Sequence, residues 1–263
     1  MLRKLLKYDF KSMYKFLIIF YLLALFFALL TRIFFAIDNS IIISIIAQIC
    51  TGATIALIFN ILINNLMRCW VLFKNNLYGD ESYLTHTLPV TKKEIYTSKF
   101  ITAFTTLFTS ILVVTLTLFV AYYSKDNFEL LKEFVGPIAN LFKSSPIALI
   151  VALIFMVFIE FFNALQTGYT GIILGHRKNN NKILYSVISG FLIYMITQIF
   201  VLAGLFIMAI FNSDLMNFFF TTDSINFDMF KSLYILCTVV YFIAIIILYF
   251  VNVKALSKGV NVD

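Results

Sequence analysis

One carboxylate lies deep inside an apolar stretch of this sequence, and three polar residues follow it at helical spacing. Glu160 is followed by Asn163, Thr167 and Thr170, which at 100° per residue fall on one side of a helix within an arc of about 80°. A buried ionisable group costs at least about 2.5 kcal/mol on membrane-insertion scales, so it marks a pathway or a partner. The ordinary alternative is hydrogen bonding between helices. The sequence leaves both interpretations open.

Motifs that would indicate catalysis or metal binding are not found. His86 and His176 are the two histidines and lie in polar segments, and there is no H-E-x-x-H, G-x-S-x-G or glycine-rich phosphate-binding loop. Cys50, Cys69 and Cys237 are an odd number of cysteines, and two of them lie in apolar runs, where free thiols behave as small hydrophobes. We therefore expect no enzymatic activity, catalytic residue, disulfide, metal site, cofactor or ATP site in this chain.

The composition indicates an integral membrane protein. Hydrophobic residues make up 62% and charged residues 13% of the chain, and the mean hydropathy is +0.96, against about 45–50% apolar and about 25% charged in an average soluble domain. A helix needs about 20 mainly apolar residues to cross a bilayer. Continuous runs of this length predict one all-α membrane domain over residues 1–263, with helices rather than barrel strands. The six predicted spans are residues 16–37, 41–67, 100–124, 146–174, 183–212 and 232–253.

The basic residues predict the orientation. With the N-terminus inside, 15 of the 20 basic residues fall in cytoplasmic segments, as the positive-inside rule requires. Both termini are therefore predicted to be cytoplasmic. Basic side chains close to span ends are also favoured by anionic lipids, so the net charge of +7 is explained by the lipid bilayer and does not indicate a nucleic-acid partner.

The first 15 residues predict a helix in the membrane interface, over residues 2–14. They carry five basic residues, whose side chains can extend to headgroups while an apolar side is buried. The apolar residues at helical spacing are Leu2, Leu5, Leu6, Phe10 and Met13. A cleaved signal peptide has a shorter apolar core and a small-residue cleavage site, and the first span is too long and too rich in phenylalanine for that.

The longest polar stretch, residues 68–99, separates the second and third apolar runs. Near its end Thr91 can cap a helix while Glu94 bonds back to the cap amide, and Pro89 stops any helix from the preceding side. The new helix is predicted to continue through Ile95 into the third span. Any loop that enters a membrane helix benefits from such a cap, so the cap alone does not indicate function.

The second predicted cytoplasmic loop, residues 175–182, begins with a glycine helix stop. Gly175 also follows Gly171 in a G-x-x-x-G spacing, which permits close contact with another helix. Several amides inside or near the end of apolar runs are expected to bond between helices: Gln48, Asn60, Asn64, Asn65 and Gln198.

The stretch from Tyr78 to Lys99 resembles a signature of type-2 ABC transporter permeases. Residues 88–99 match Leu-Pro-(Val/Ile)-(Ser/Thr)-(Arg/Lys)-x-x-(Ile/Leu) followed by (Gly/Ser)-Lys, which precedes the third span in that family. Residues 78–87 look like the Tyr-Gly-Asp-Glu-Gly-Tyr-Leu-Thr-His-Thr variant of low-GC Gram-positive members, with Ser82 in place of the usual glycine. The likeness covers the whole chain in layout and is specific at residues 78–99.

The resemblance implies the permease subunit of an ABC exporter in the cytoplasmic membrane of a bacterium. It implies an interfacial N-terminal helix, a cytoplasmic coupling helix within residues 68–99 and an outer re-entrant element at residues 213–230. The implied partners are a soluble ATP-binding subunit, which would hold ATP and magnesium, and a second permease subunit, identical or different. Hydrophobic or antimicrobial peptides are the implied substrates. A non-transporting sensor or immunity protein and an intramembrane enzyme remain as alternatives.

Two groups of candidate site residues follow. The coupling segment, residues 68–99, is expected to present apolar side chains to a groove of the ATP-binding subunit. Its acidic side chains are expected to position the segment in that groove. Its candidate residues are Asp80, Glu81, Tyr83, Leu84, Leu88, Pro89, Thr91, Glu94 and Ile95, with Val90 on the apolar side. The candidates for a transport path or a helix interface are Glu160, Asn163, Thr167 and Thr170.

Overall fold

The computed structural model describes residues 1–37, 40–141, 144–211 and 227–258, and every regular element in these ranges is an α-helix. Six of the helices, all except α3 and α5, are long and apolar enough to cross a membrane. The predicted all-α architecture with six potential spans is thereby confirmed. In chain order the helices are α1 (Leu2–Ala36), α2 (Ile41–Tyr78), α3 (Ser82–Thr87), α4 (Lys92–Tyr122), α5 (Lys125–Leu141), α6 (Pro146–Gly175), α7 (Lys182–Phe211) and α8 (Phe227–Ser257).

The first helix is continuous and includes the predicted interfacial segment. Residues 2–36 contain no glycine or proline, so nothing in the sequence breaks α1 between residue 14 and the first apolar run. Its 35 residues correspond to about 52 Å at 1.5 Å per residue, well beyond the roughly 30 Å of a bilayer core. The structure therefore has no separate N-terminal helix, and the orientation of residues 2–14 to a membrane stays a prediction.

The second helix also extends beyond its apolar run. The predicted span ends at residue 67, whereas α2 continues to Tyr78, because the first glycine or proline after residue 67 is Gly79. More than a third of the polar stretch 68–99 is thus helical and continuous with a potential span. The fourth helix begins at Lys92, as the sequence predicts.

One helix, α5, lies between the third and fourth predicted spans and was not predicted from the sequence. Its acidic residues Asp126, Glu129 and Glu133 lie on one side, and apolar residues such as Leu131 and Phe134 lie on the other. Phe134 is 77% exposed. An exposed amphipathic helix of this kind is typical of a membrane interface. The predicted re-entrant element at residues 213–230 lies outside the described residues, apart from the start of α8.

The chain forms two compact units. Unit 1 comprises Met1–Asn75 and Thr87–Leu131, and unit 2 comprises Asn76–His86 and Lys132–Asp263. In unit 1, α1 packs along α4, and its fully buried apolar residues recur at helical spacing. They are Met13, Leu17, Ala24 and Ala28.

In unit 2, α6 packs against α7 and α8. The contact of α6 with α7 is close because small residues face each other. A Cβ atom at Gly171 would come within 2.7 Å of the Gly190 backbone, and one at Gly175 would come within 2.4 Å of the Ser186 backbone. The G-x-x-x-G spacing therefore does mark a helix contact, in which the absence of a side chain lets two backbones approach.

Candidate functional site

The polar segment, defined here as residues 78–99, ends in the predicted capping box. The Glu94 amide donates to Thr91 Oγ1 at 3.2 Å, and the Thr91 amide donates to Glu94 Oε2 at 2.9 Å. Two amides that a helix N-terminus leaves unpaired are thereby satisfied. The hydrogen bonds donated by the Thr91 backbone and hydroxyl hold the pKa of Glu94, which lies outside the apolar run 100–124, below its usual value.

Three large apolar side chains of the polar segment are exposed. Tyr83 is 77%, Leu84 73% and Leu88 45% exposed. They lie outside the predicted spans, so lipid does not account for their exposure. Exposed apolar groups rimmed by polar residues are typical of surfaces that bind another protein. Four other predicted contact residues are also exposed: Asp80, Glu81, Pro89 and Thr91.

The remaining predicted contact residues are less accessible. Ile95 is 2% exposed, while Glu94 and Val90 are half-buried. The side chain of Ile95 therefore contributes to the interior of this chain and is not available to a partner in this conformation. The apolar surface that the polar segment can offer is carried by Tyr83, Leu84 and Leu88.

Unit 1 contains a buried ion pair that the sequence analysis missed. Lys99 Nζ donates to Asp9 Oδ1 at 2.5 Å, and Ser98 Oγ donates to Asp9 Oδ2 at 2.7 Å. Asp9 and Lys99 are each 5% exposed, so the pair is shielded from water. It joins α1 to the part of α4 that directly follows the capping box. The available signal was that Asp9 is the sole acidic residue among the first 37.

In unit 2, the start of the polar segment contacts the turn between α6 and α7. The rings of Tyr78 and His176 stack with centroids 4.2 Å apart and planes 27° apart. Both residues are almost completely buried, at 2% and 1% exposure. His176 Nδ1 lies 2.8 Å from the carbonyl oxygen of Ile172 in the last turn of α6. Both residues lie in polar stretches of the sequence, and their contact was not predicted.

The four polar positions of α6 have different environments. Glu160 is half-buried, whereas Asn163, Thr167 and Thr170 are buried. The hydroxyls of Thr167 and Thr170 donate to carbonyl oxygens of α6 itself, at 2.8 and 2.9 Å. Within the described part of the chain, neither polar atom of the Asn163 side chain has a hydrogen-bond partner.

The neighbourhood of Glu160 is formed by α7 and α8. Its carboxylate lies within electrostatic range of Tyr194, Cys237 and Tyr241. Tyr241 in turn shares a hydrogen bond of 3.2–3.3 Å with Gln198. None of these side chains carries a positive charge. The structure thus brings Glu160 together with polar side chains of two neighbouring helices.

Two of the amides expected to bond between helices do so. Asn65 donates to Ser110 Oγ at 2.8 Å, which joins α2 to α4, and Gln198 bonds to Tyr241 as described above. Asn64 instead bonds to Asn60 one turn earlier in the same helix. Polar side chains therefore hold helices together in both units.

Comparison with protein-family models, with curated proteins and with solved structures finds no match to this chain. Its fold and exposed surface define a broad class: a multi-pass, α-helical membrane protein. Its distinguishing feature is a polar segment with exposed apolar side chains. Among the described residues, no group of three or more histidine, cysteine or acidic side chains is placed to hold a metal ion.

Proposed function

We propose that this chain is the membrane-spanning subunit of an ABC exporter in a bacterial cytoplasmic membrane, driven by ATP hydrolysis in a separate soluble subunit. The observation that carries the proposal is the polar segment. Its sequence resembles the permease signature, and it exposes Tyr83, Leu84 and Leu88 outside the predicted spans. An exporter subunit without its own ATP site needs such a surface, because the ATP-driven movement of a partner must reach it through a direct contact.

The chemistry of the exposed residues fits a groove on a soluble protein. Apolar side chains that enter a groove supply affinity, and the acidic pair Asp80 and Glu81, both exposed, supplies charge that orients the encounter. Closure of the ATP-binding subunits would then displace the polar segment and, through it, the helices that the segment joins.

The transport path is proposed to lie beside α6. Glu160 is half-buried, and a carboxylate at this depth needs water or a partner to offset its desolvation. A second permease subunit, identical or different, would provide that environment. The proposed cargo is a hydrophobic or antimicrobial peptide, for which the support is the resemblance of residues 78–99 alone.

The proposal is tested by co-purification with a soluble ABC ATP-binding subunit that is co-expressed with this chain. We expect the wild-type protein in mild detergent to retain that subunit. The double variant Leu84→Asp, Leu88→Asp should weaken the complex by at least tenfold to a hundredfold, since burial of even one of the two leucines is worth about 1.5–3 kcal/mol and 1.4 kcal/mol is a factor of ten.

A control for the added charge is Leu130→Asp, which introduces one negative charge at a leucine of α5 that is 61% exposed. It should bind the ATP-binding subunit as the wild type does. The proposal is wrong if the folded wild-type protein retains no ATP-binding subunit. Equal loss of binding in the double variant and in Leu130→Asp would remove the polar segment as the docking surface.

A further inference from the structure

We propose that the Tyr78–His176 pair is the connection through which the polar segment holds the turn between α6 and α7. The inference rests on the proposed function and deepens it, because it identifies two positioning residues. Neither residue is exposed to bind a partner, since Tyr78 is 2% and His176 1% exposed. Their role is to carry a displacement of the polar segment to the helices of unit 2.

The first support is the placement of Tyr78. It is the last residue of α2 and directly precedes Gly79. Residues 76–86 nevertheless belong to unit 2, whereas the rest of α2 belongs to unit 1. Within residues 76–86, Nε2 of His86 also lies 3.1 Å from the carbonyl oxygen of Leu77. This bond closes the short stretch on itself, so that α3 and Tyr78 are held together.

The second support is the attachment of His176 to both helices of the hairpin. Its Nδ1 atom bonds to the Ile172 carbonyl oxygen of α6 and lies 3.5 Å from Ser186 Oγ of α7. Gly175, its neighbour in sequence, leaves no room for a Cβ atom against Ser186. Packing this close resists sliding, so a force on the His176 ring moves α6 and α7 as a pair.

The turn is also joined to α8. The guanidinium of Arg177 donates to the carbonyl oxygen of Ala255 at 2.8 Å, which satisfies one of the carbonyl groups that a helix C-terminus leaves unpaired. All three long helices of unit 2 therefore meet at the turn that Tyr78 contacts. Because α6 carries Glu160, the pair connects the polar segment to the helix of the proposed transport path.

The contact is tested first without any partner, by hydrogen–deuterium exchange of the purified full-length protein. Tyr78→Leu removes the ring but keeps an apolar side chain, and His176→Gln removes the other ring. Each variant should speed exchange across residues 172–186 by about threefold to tenfold, since a stacked pair stabilises beyond its burial and local opening follows that loss. Tyr78→Phe keeps the ring and should exchange as the wild type does.

A matched control comes from unit 1, where Phe119 and Tyr123 stack with centroids 4.5 Å apart and planes 28° apart. Tyr123→Leu should leave exchange across residues 172–186 unchanged. The connection is refuted if Tyr78→Leu and His176→Gln both exchange as the wild type does there. It is also refuted if Tyr123→Leu speeds exchange at the turn as much as they do.

The second readout is coupling in the complex with the ATP-binding subunit. Tyr78→Leu should retain that subunit and its basal ATP hydrolysis but lose most of the stimulation by hydrophobic peptides, whereas Tyr78→Phe should retain the stimulation. Full stimulation in Tyr78→Leu would contradict a positioning role. If the wild-type protein retains no ATP-binding subunit, the proposed function has failed, and the exchange result alone decides whether the connection exists.

Discussion

Single residues near the start of α4 connect this helix to α1. The carboxylate of Asp9 accepts hydrogen bonds from Ser98 and Lys99 and is almost completely shielded from water. Removing two charges from water is costly, and their mutual attraction offsets the cost when further hydrogen bonds complete the site. The pair fixes the N-terminal part of α1 against the residues that follow the capping box, where the proposed partner would act.

Loss of one member of this pair should be costly, and loss of both should not be. Asp9→Leu leaves the Lys99 ammonium without its carboxylate, and we expect a loss of stability of about 3 kcal/mol. The double variant Asp9→Leu, Lys99→Met should recover most of that loss. Thermal melting in detergent measures both, with the exposed Lys93→Ala as a control that should change little. Equal melting of the wild type and Asp9→Leu would show that the pair contributes nothing.

Residue-level features differ in how far the sequence could predict them. The Thr91–Glu94 capping box joins residues three apart, so local spacing is enough. The Asp9–Lys99 pair joins residues 90 apart, and the sequence cannot specify which face of α1 meets α4. The same holds for Ile95, because its apolar side chain is compatible with either a partner surface or the protein interior. The polar spacing of α6 was visible, but its partners on α7 and α8 were not.

At the scale of elements, α6 and α7 pack closely against each other in unit 2. Gly171 and Gly175 face Ser186 and Gly190, and the connection between the helices passes through Asn181 in the left-handed region at φ 53°. Asparagine tolerates this conformation better than most residues. Rigid packing at this position is what the proposed transmission through His176 requires.

Adding one methyl group should destabilise the protein at this close contact but not at an open position of a helix. Gly171→Ala places a Cβ atom 2.6 Å from the Ser186 carbonyl oxygen, whereas Gly52→Ala meets nothing within 4 Å. We expect Gly171→Ala to lower stability by about 1–3 kcal/mol through overpacking. Gly52→Ala should be neutral or stabilising because alanine is the better helix former. Thermal melting of the two variants tests this, and a Gly171→Ala protein as stable as Gly52→Ala would contradict the close packing.

The observed helix ends agree with the sequence where a helix-breaking residue is present, and they differ from the predicted ends elsewhere. The helix α2 ends at Tyr78, directly before Gly79, and α6 ends at Gly175; both glycines are visible in the sequence. The polarity change at residue 68 does not end α2, because charged side chains are compatible with a helix that leaves the membrane. The helix α5 was missed because its 17 residues are too short and too polar for a span.

At the scale of the whole chain, the six potential spans were predictable because the bilayer sets a length and a polarity that local composition reveals. The division into two units was not, since it depends on helix packing. Residues 76–86 belong to one unit and residues 87–99 to the other. The polar segment therefore begins in unit 2 and ends in unit 1.

The most direct test of the account is the side of the membrane on which the polar segment lies. Cysteine is introduced at Tyr83 or at Asp126, both exposed, in a background whose three native cysteines are replaced by alanine. In intact cells, a membrane-impermeant thiol reagent should label Asp126→Cys but not Tyr83→Cys, and Tyr83→Cys should react only after the membrane is opened. Labelling of Tyr83→Cys in intact cells would place the polar segment outside, where no ATP-binding subunit could reach it.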